Sequence, residues 1–237
     1  MHQWPTYLLS ACMMLSSCAR ASASSGVSLA PPSWTLAWSD EFAGAANARV
    51  DSTRWRYDIG DGCTQGVLRL GQWREGELYV VHRKCVAERH WPIDDHGASL
   101  VGQSPATPWP QCGELDIVEN KGSESLITSS AIHGPGYSGN TPFAHRNTLA
   151  RGTASNDYHV YAVEWDSASV RFSVDSVTHY TVTRGEIGRY GDWVFDQPMY
   201  VILNLAVGGK FDGDPKSDAI VPATMLVDYV RVYAQAR

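Results

Sequence analysis

Glu114, Asp116 and Glu119 stand within a short apolar run, Leu115, Ile117 and Val118, that otherwise reads as a β-strand. Side chains alternate along a strand, so Glu114 and Asp116 share a face. Glu119 has the wrong parity for that face. One extra residue between Asp116 and Glu119, a β-bulge, corrects the parity and brings all three carboxylates to one side. Acids held so close repel, and the repulsion raises at least one pKa, leaving one group protonated and another ionised. Those two states together suit cleavage of a glycosidic bond with retained configuration. One carboxylate attacks the anomeric carbon, and a neutral acid about 5–5.5 Å away protonates the leaving oxygen. Bare acids at this spacing also fit a solvent-facing acidic edge strand. The apolar flanks and the preceding Trp109-Pro110 favour the catalytic reading.

The elements that must hold such a strand are β nearly throughout. Val170, Phe172 and Val174 alternate with polar neighbours, Asp175-Ser176 can turn, and Thr178 to Thr183 returns, which predicts a hairpin. Tyr158 to Trp165 puts His159, Tyr161, Val163 and Trp165 on one face. Met199 to Val207 is apolar enough for a strand buried on most sides. Leu226 to Tyr233 alternates, with Val230 and Val232 opposed to Tyr229 and Arg231. The 21 Gly and 12 Pro punctuate these runs, and no long amphipathic pattern interrupts them. The fold class is therefore all-β, and periodicity leaves sandwich and barrel both open.

The chain has 237 residues, which suits one domain with a sizeable core. A net charge of -6 with no long basic run disfavours nucleic-acid or anionic-membrane partners. No apolar stretch reaches the ~20 residues of a spanning helix. Nine Trp and eleven Tyr offer flat faces that suit sugar rings as well as cores. Residues 1–18 read as an export signal, with a short apolar run from Tyr7 to Leu15 that no Lys or Arg precedes. Leu15-Ser16-Ser17-Cys18 is similar to a bacterial lipobox, which implies a lipid anchor at Cys18 and a secreted or cell-envelope location. Residues 19–33 read as a linker and 34–237 as one globular domain, expected to be monomeric. Cys63, Cys85 and Cys112 permit one disulfide and one spare thiol, in any pairing.

Gly113-Glu114-Leu115-Asp116-Ile117-Val118-Glu119 resembles the signature of glycoside hydrolase family 16, in the bulged form of its laminarinase-like branch. Other stretches agree in order: Trp38-Ser39-Asp40-Glu41-Phe42, Trp109-Pro110-Gln111-Cys112, His133-Gly134-Pro135-Gly136-Tyr137, His159 to Trp165, Leu203-Asn204-Leu205-Ala206-Val207-Gly208-Gly209 and Asp228 to Tyr233. The resemblance implies a β-jelly roll sandwich of two antiparallel sheets with a cleft across the concave sheet. It implies Glu114 as nucleophile, Asp116 as the residue that orients and tunes it, and Glu119 as general acid/base. It places His133 in the cleft near the acid/base. Trp109 and Trp165 become candidate sugar platforms and Asn204 a candidate polar contact, although packing roles suit all four as well. No cofactor is implied for the reaction. A structural calcium away from the cleft is, with Glu41 and Asp228 as oxygen ligands.

One stretch departs from the family. Between Asp61 and Trp109 the resemblance implies several strands, yet only Arg74 to Val81 and Trp91-Pro92 with His96-Gly97-Ala98-Ser99-Leu100 resemble them. A sheet that loses central strands exposes unpaired backbone. The implied function is a retaining endo-glycosidase acting on β-1,3- or mixed-linked β-glucan. The alternative is a non-catalytic β-glucan-binding protein or an impaired remnant on the same fold. A transglycosylase ranks last, since the bulged signature differs from the transferase branch.

Overall fold

Alternating patterns along the chain become, among the described residues, thirteen strands in the computed structural model. The structure describes residues 34–45, 48–58, 67–70, 76–83, 96–102, 107–205, 211–212 and 225–235. The signal, linker and Cys18 expectations lie outside the described residues, as do Cys63 and Cys85. In chain order the strands are β1 (Trp34–Asp40), β2 (Trp55–Asp58), β3 (Val67–Leu70), β4 (Gly76–Arg83), β5 (His96–Gly102), β6 (Glu114–Asn120) and β7 (Ile127–His133). They continue with β8 (Ala144–Thr148), β9 (His159–Trp165), β10 (Ser169–Val174), β11 (Val177–Thr183), β12 (Met199–Leu205) and β13 (Leu226–Gln235). One four-residue helix, α1 (Arg184–Ile187), follows β11, and a 3₁₀ turn, Gly122–Glu124, follows β6.

Two antiparallel sheets form. One runs β1-β13-β4-β9-β10-β11 and the other β2-β3-β12-β5-β6-β7-β8. The hairpin expected at 169–183 is β10 and β11, and Asp175 and Ser176 turn it with φ of 50° and 68°. Two positive φ values in a two-residue turn match the twist of the flanking strands. The core lies between the sheets. Leu115, Ile117, Ile132, Val201 and Leu203 from the seven-stranded sheet meet Tyr161, Val163, Trp165, Phe172 and Val232 from the other. Each fully buried side chain of this size contributes about 1.5–3 kcal/mol. β12 differs from its expectation. Met199, Val201 and Leu203 are buried, while Tyr200, Ile202 and Asn204 are part-exposed on the other face. It is a one-sided strand, because only one face of its sheet meets the core.

The departure before Trp109 has a definite structural outcome. β5 pairs with β12 from Met199↔Gly102 to Leu205↔His96 and with β6 along its other edge. The strand after the gap therefore fills a place in the sheet, and the carboxylate strand β6 is paired on both sides, by β5 and β7. The entry to β6 is held at close quarters. The Gly102 N–H donates to Gly113 O at 3.0 Å, and Gln197 Nε2 donates to Cys112 O at 2.6 Å and to Val194 O at 2.9 Å. Cys112 is buried and unbridged, which leaves it as a spare thiol. A Cβ on Gly102 would lie 1.8 Å from Cys112 O and 2.6 Å from Gln197 Nε2. Gly102→Ala is therefore expected to lower stability by about 3 kcal/mol, because backbone has to move. Gly139→Ala, at φ +65° with nothing within 4 Å, is expected to cost about 1 kcal/mol. Urea unfolding midpoints of the two variants check the ranking.

Candidate active site

The pairing of β6 contains the expected bulge. Against β7, Asp116 faces Ala131 and Glu119 faces Ser129, so three residues of β6 span two of β7. Against β5, Asp116 faces Ser99 and Glu119 faces Gly97, with the same excess of one. The extra residue turns Glu119 back to the side of Glu114 and Asp116. Leu115, Ile117 and Val118 all point into the core, each at most 1% exposed. Three rows then cross the sheet on the face turned from the core. Tyr200, Val101, Glu114 and His133 make one, and Ile202, Ser99, Asp116 and Ala131 the next. The third is Asn204, Gly97, Glu119 and Ser129. Gly97 puts no side chain between Asn204 and Glu119.

Hydrogen bonds knit the three acids to their surroundings. Trp109 Nε1 donates to Glu114 Oε2 at 2.8 Å. Ser99 Oγ donates to Asp116 Oδ1 at 2.7 Å, and His133 Nε2 lies 3.1 Å from Asp116 Oδ2. Ser129 Oγ reaches Glu119 Oε2 at 3.4 Å. Burial first, and then the charge of Asp116, push the Glu114 carboxyl up to about 7, against the pull of the Trp109 N–H and His133. Repulsion was expected to raise an acid here; Glu114 is the acid raised, with burial the larger cause and the charge of Asp116 the second. His133 is moved upward. Burial alone pulls it down, but its bond to Asp116 and the charges of Asp116, Glu114 and Glu119 outweigh that.

The remaining candidates divide. Trp109, 51% exposed after a cis Trp109–Pro110 bond, stands beside Glu114 with its ring centroid 6.1 Å from that of His133. Asn204 lies in the Glu119 row. His133 stands opposite Glu114 and bonds Asp116, and the charge of Glu119 also reaches it; Ser129 stands opposite Glu119. Trp165 needs correction. It is 3% exposed in the core, on β9 of the other sheet, because it shares the inward face of His159, Tyr161 and Val163. Ser99 and Ser129 carry no sequence signal of their own. They enter the site through cross-strand register.

Glu41, one of the two expected cation ligands, is otherwise engaged. Arg231 Nε and Nη2 donate to the two Glu41 oxygens at 2.9 and 2.7 Å. Asp228 is the exposed extra residue of a bulge on β13. A guanidinium on both Glu41 oxygens does not fit a calcium cradle built on Glu41 and Asp228. Ligand atoms of Glu114, Asp116 and His133 lie within 4.8 Å of one another, but Trp109, Ser99 and His133 already supply donors to these carboxylates.

The raised Glu114 has a stability signature. Below about pH 4.5 it is protonated in folded and unfolded chains alike; as pH rises the unfolded chain ionises first, and the folded chain pays in full once pH passes about 7. Glu114→Gln removes that penalty. The variant is expected to be more stable than the parent by up to about 3 kcal/mol above pH 7, with the gain fading toward pH 4.5. Urea midpoints measured across this range check it, and a gain that grows on acidification contradicts it.

Comparison with known proteins agrees with this geometry. The family model "Glycosyl hydrolases family 16" matches residues 98–231, more than half of the chain. A beta-glucanase of Rhodothermus marinus is 26% identical, over 85% of this chain and 86% of its own length. A keratan-sulfate endo-1,4-beta-galactosidase of Sphingobacterium multivorum is 30% identical over 86% of this chain and 56% of its own length. The crystal structure of an endo-beta-1,3-glucanase from Pyrococcus furiosus superposes with a TM-score of 0.75 at 28% identity, covering 86% of this chain and 96% of that one. With the signature strand, the two-sheet fold and these relatives in agreement, the chain is a glycoside hydrolase and belongs to glycosyl hydrolases family 16, on its laminarinase-like branch.

Proposed function

We propose that the chain is a retaining endo-glycosidase that hydrolyses β-1,3- or mixed-linked β-glucan, with Glu114 as nucleophile and Glu119 as general acid/base. The observation that carries this reading is the bulge, which returns Glu119 to the face of Glu114 and Asp116 on a strand paired along both edges. Glu114 attacks the anomeric carbon while Glu119 gives its proton to the departing glycosidic oxygen. A glycosyl ester on Glu114 results. Water then attacks the same carbon as Glu119 takes its proton, releasing the sugar with its original β configuration and restoring both acids. The names of the Rhodothermus and Pyrococcus relatives support β-glucan as the substrate class. Such polymers lie outside the cytoplasm, which suits export through residues 1–18.

The attacking carboxylate has to be ionised, and burial with Asp116 nearby opposes this. Positive charge developing on the sugar ring offsets that cost in the transition state. Turnover on laminarin is expected to vanish in Glu114→Gln. Glu119→Ala is expected to lose laminarin but to keep a burst of phenol release from aryl β-glucosides of acidic phenols, which depart without a proton, while hydrolysis of the glycosyl ester, which needs Glu119 as base, is slowed. The first product seen by NMR is expected to be the β-anomer; an α-anomer rules the retaining reading out. Because Glu114 must lose its proton, kcat/KM is expected to fall as pH drops through about 7. Trp109→Phe keeps a flat face but removes the N–H that favours ionised Glu114. Its acid limb is expected to move to higher pH by about half to one unit, with KM little changed. A pH series on the purified variant reads both.

A further inference from the structure

We propose that Ser99 is a positioning residue for this reaction, whose hydroxyl fixes the rotation of the Asp116 carboxylate beside the nucleophile. The inference rests on the glucanase reading above. Ser99 lies on β5 directly opposite Asp116, and its Oγ is 2.7 Å from Asp116 Oδ1. His133, from β7 on the other edge, takes Asp116 Oδ2 at 3.1 Å. The carboxylate is thus gripped from both neighbouring strands, one oxygen each. Asp116 is 5% exposed, so water does not readily replace a lost donor. Nor does a neighbour: in the row Ile202, Ser99, Asp116, Ala131, Ser99 is the one side chain with a hydrogen to donate. The gripped carboxylate shares a face with Glu114, with ligand atoms of the two within 4.8 Å of one another, and its charge holds the Glu114 proton. Its orientation therefore governs how firmly Glu114 holds a proton. The charged and titratable groups around Asp116 are Glu114 and Glu119 on β6 and His133 on β7.

Removing the hydroxyl takes a donor from the Asp116 carboxylate, which leaves more of its charge uncompensated beside Glu114, so the Glu114 proton is held more tightly. Ser99→Ala is expected to lower kcat on laminarin about tenfold and to move the acid limb to higher pH, with KM within about twofold. Ser99→Thr keeps the hydroxyl on a side chain that suits a strand, and is expected to retain kcat within about threefold. Wild-type kcat and pH profile in Ser99→Ala, or equal losses in the two variants, overturn the proposal. Thermal unfolding run in parallel separates a folding defect from lost positioning. Carbon-13 NMR titration of the Glu114 and Asp116 carboxyls in the ligand-free protein reads the same grip without substrate. A midpoint that rises in Ser99→Ala and not in Ser99→Thr supports it, and an unmoved midpoint overturns it. If wild-type protein leaves laminarin uncut, or Glu114→Gln still cuts it, the glucanase reading fails, while the titration still decides the role of Ser99.

Discussion

Everything at this site depends on a single residue of excess in β6. A regular strand carrying Glu114 and Asp116 on one face would send Glu119 to the other, into a hydrophobic core that has no partner for an ionised carboxyl. The bulge avoids that cost, and both neighbours accommodate it. β5 and β7 shift register by the same amount around Asp116 and Glu119. The arrangement is a property of three strands at once, so the site needs β6 to be an interior strand with a close partner on each edge.

That dependence gives the region before Trp109 its meaning. The family resemblance implies several strands there, and a missing neighbour would leave β6 half-paired. β5 closes the sheet, taking seven residues of β12 on one side and β6 on the other. It also brings small residues, Gly97 and Ser99, to the functional face. One leaves space beside Glu119 and the other bonds Asp116. Closing the sheet and furnishing the site are therefore done by the same short strand.

The sequence made some of this legible and hid the rest, along a consistent line. The bulge followed from parity within seven residues, and the hairpin at Asp175-Ser176 from local alternation and turn chemistry. Trp165 was legible as a core residue from its alternation with Val163 and Tyr161; only the family resemblance suggested a sugar platform. His133 was legible beside the carboxylates, but that it faces Glu114 and bonds Asp116 is set by cross-strand register. Ser99 and Ser129 were invisible for the same reason. Alternation in β12 was masked because Ile202, on the less buried face, is as apolar as its core-facing residues.

The bulge also changes how the acid/base is mounted. A strand without it seats one apolar side chain in the core between successive outward residues. Here Ile117 and Val118 are both buried to 1% exposure between Asp116 and Glu119. Two adjacent anchors hold the backbone that carries Glu119, and they resist the twisting that one would permit. The aim of the proton donor is thereby tied to the volume of the hydrophobic interior. Repacking around Ile117 and Val118 is a route by which changes far from any sugar could retune proton transfer without touching a polar group.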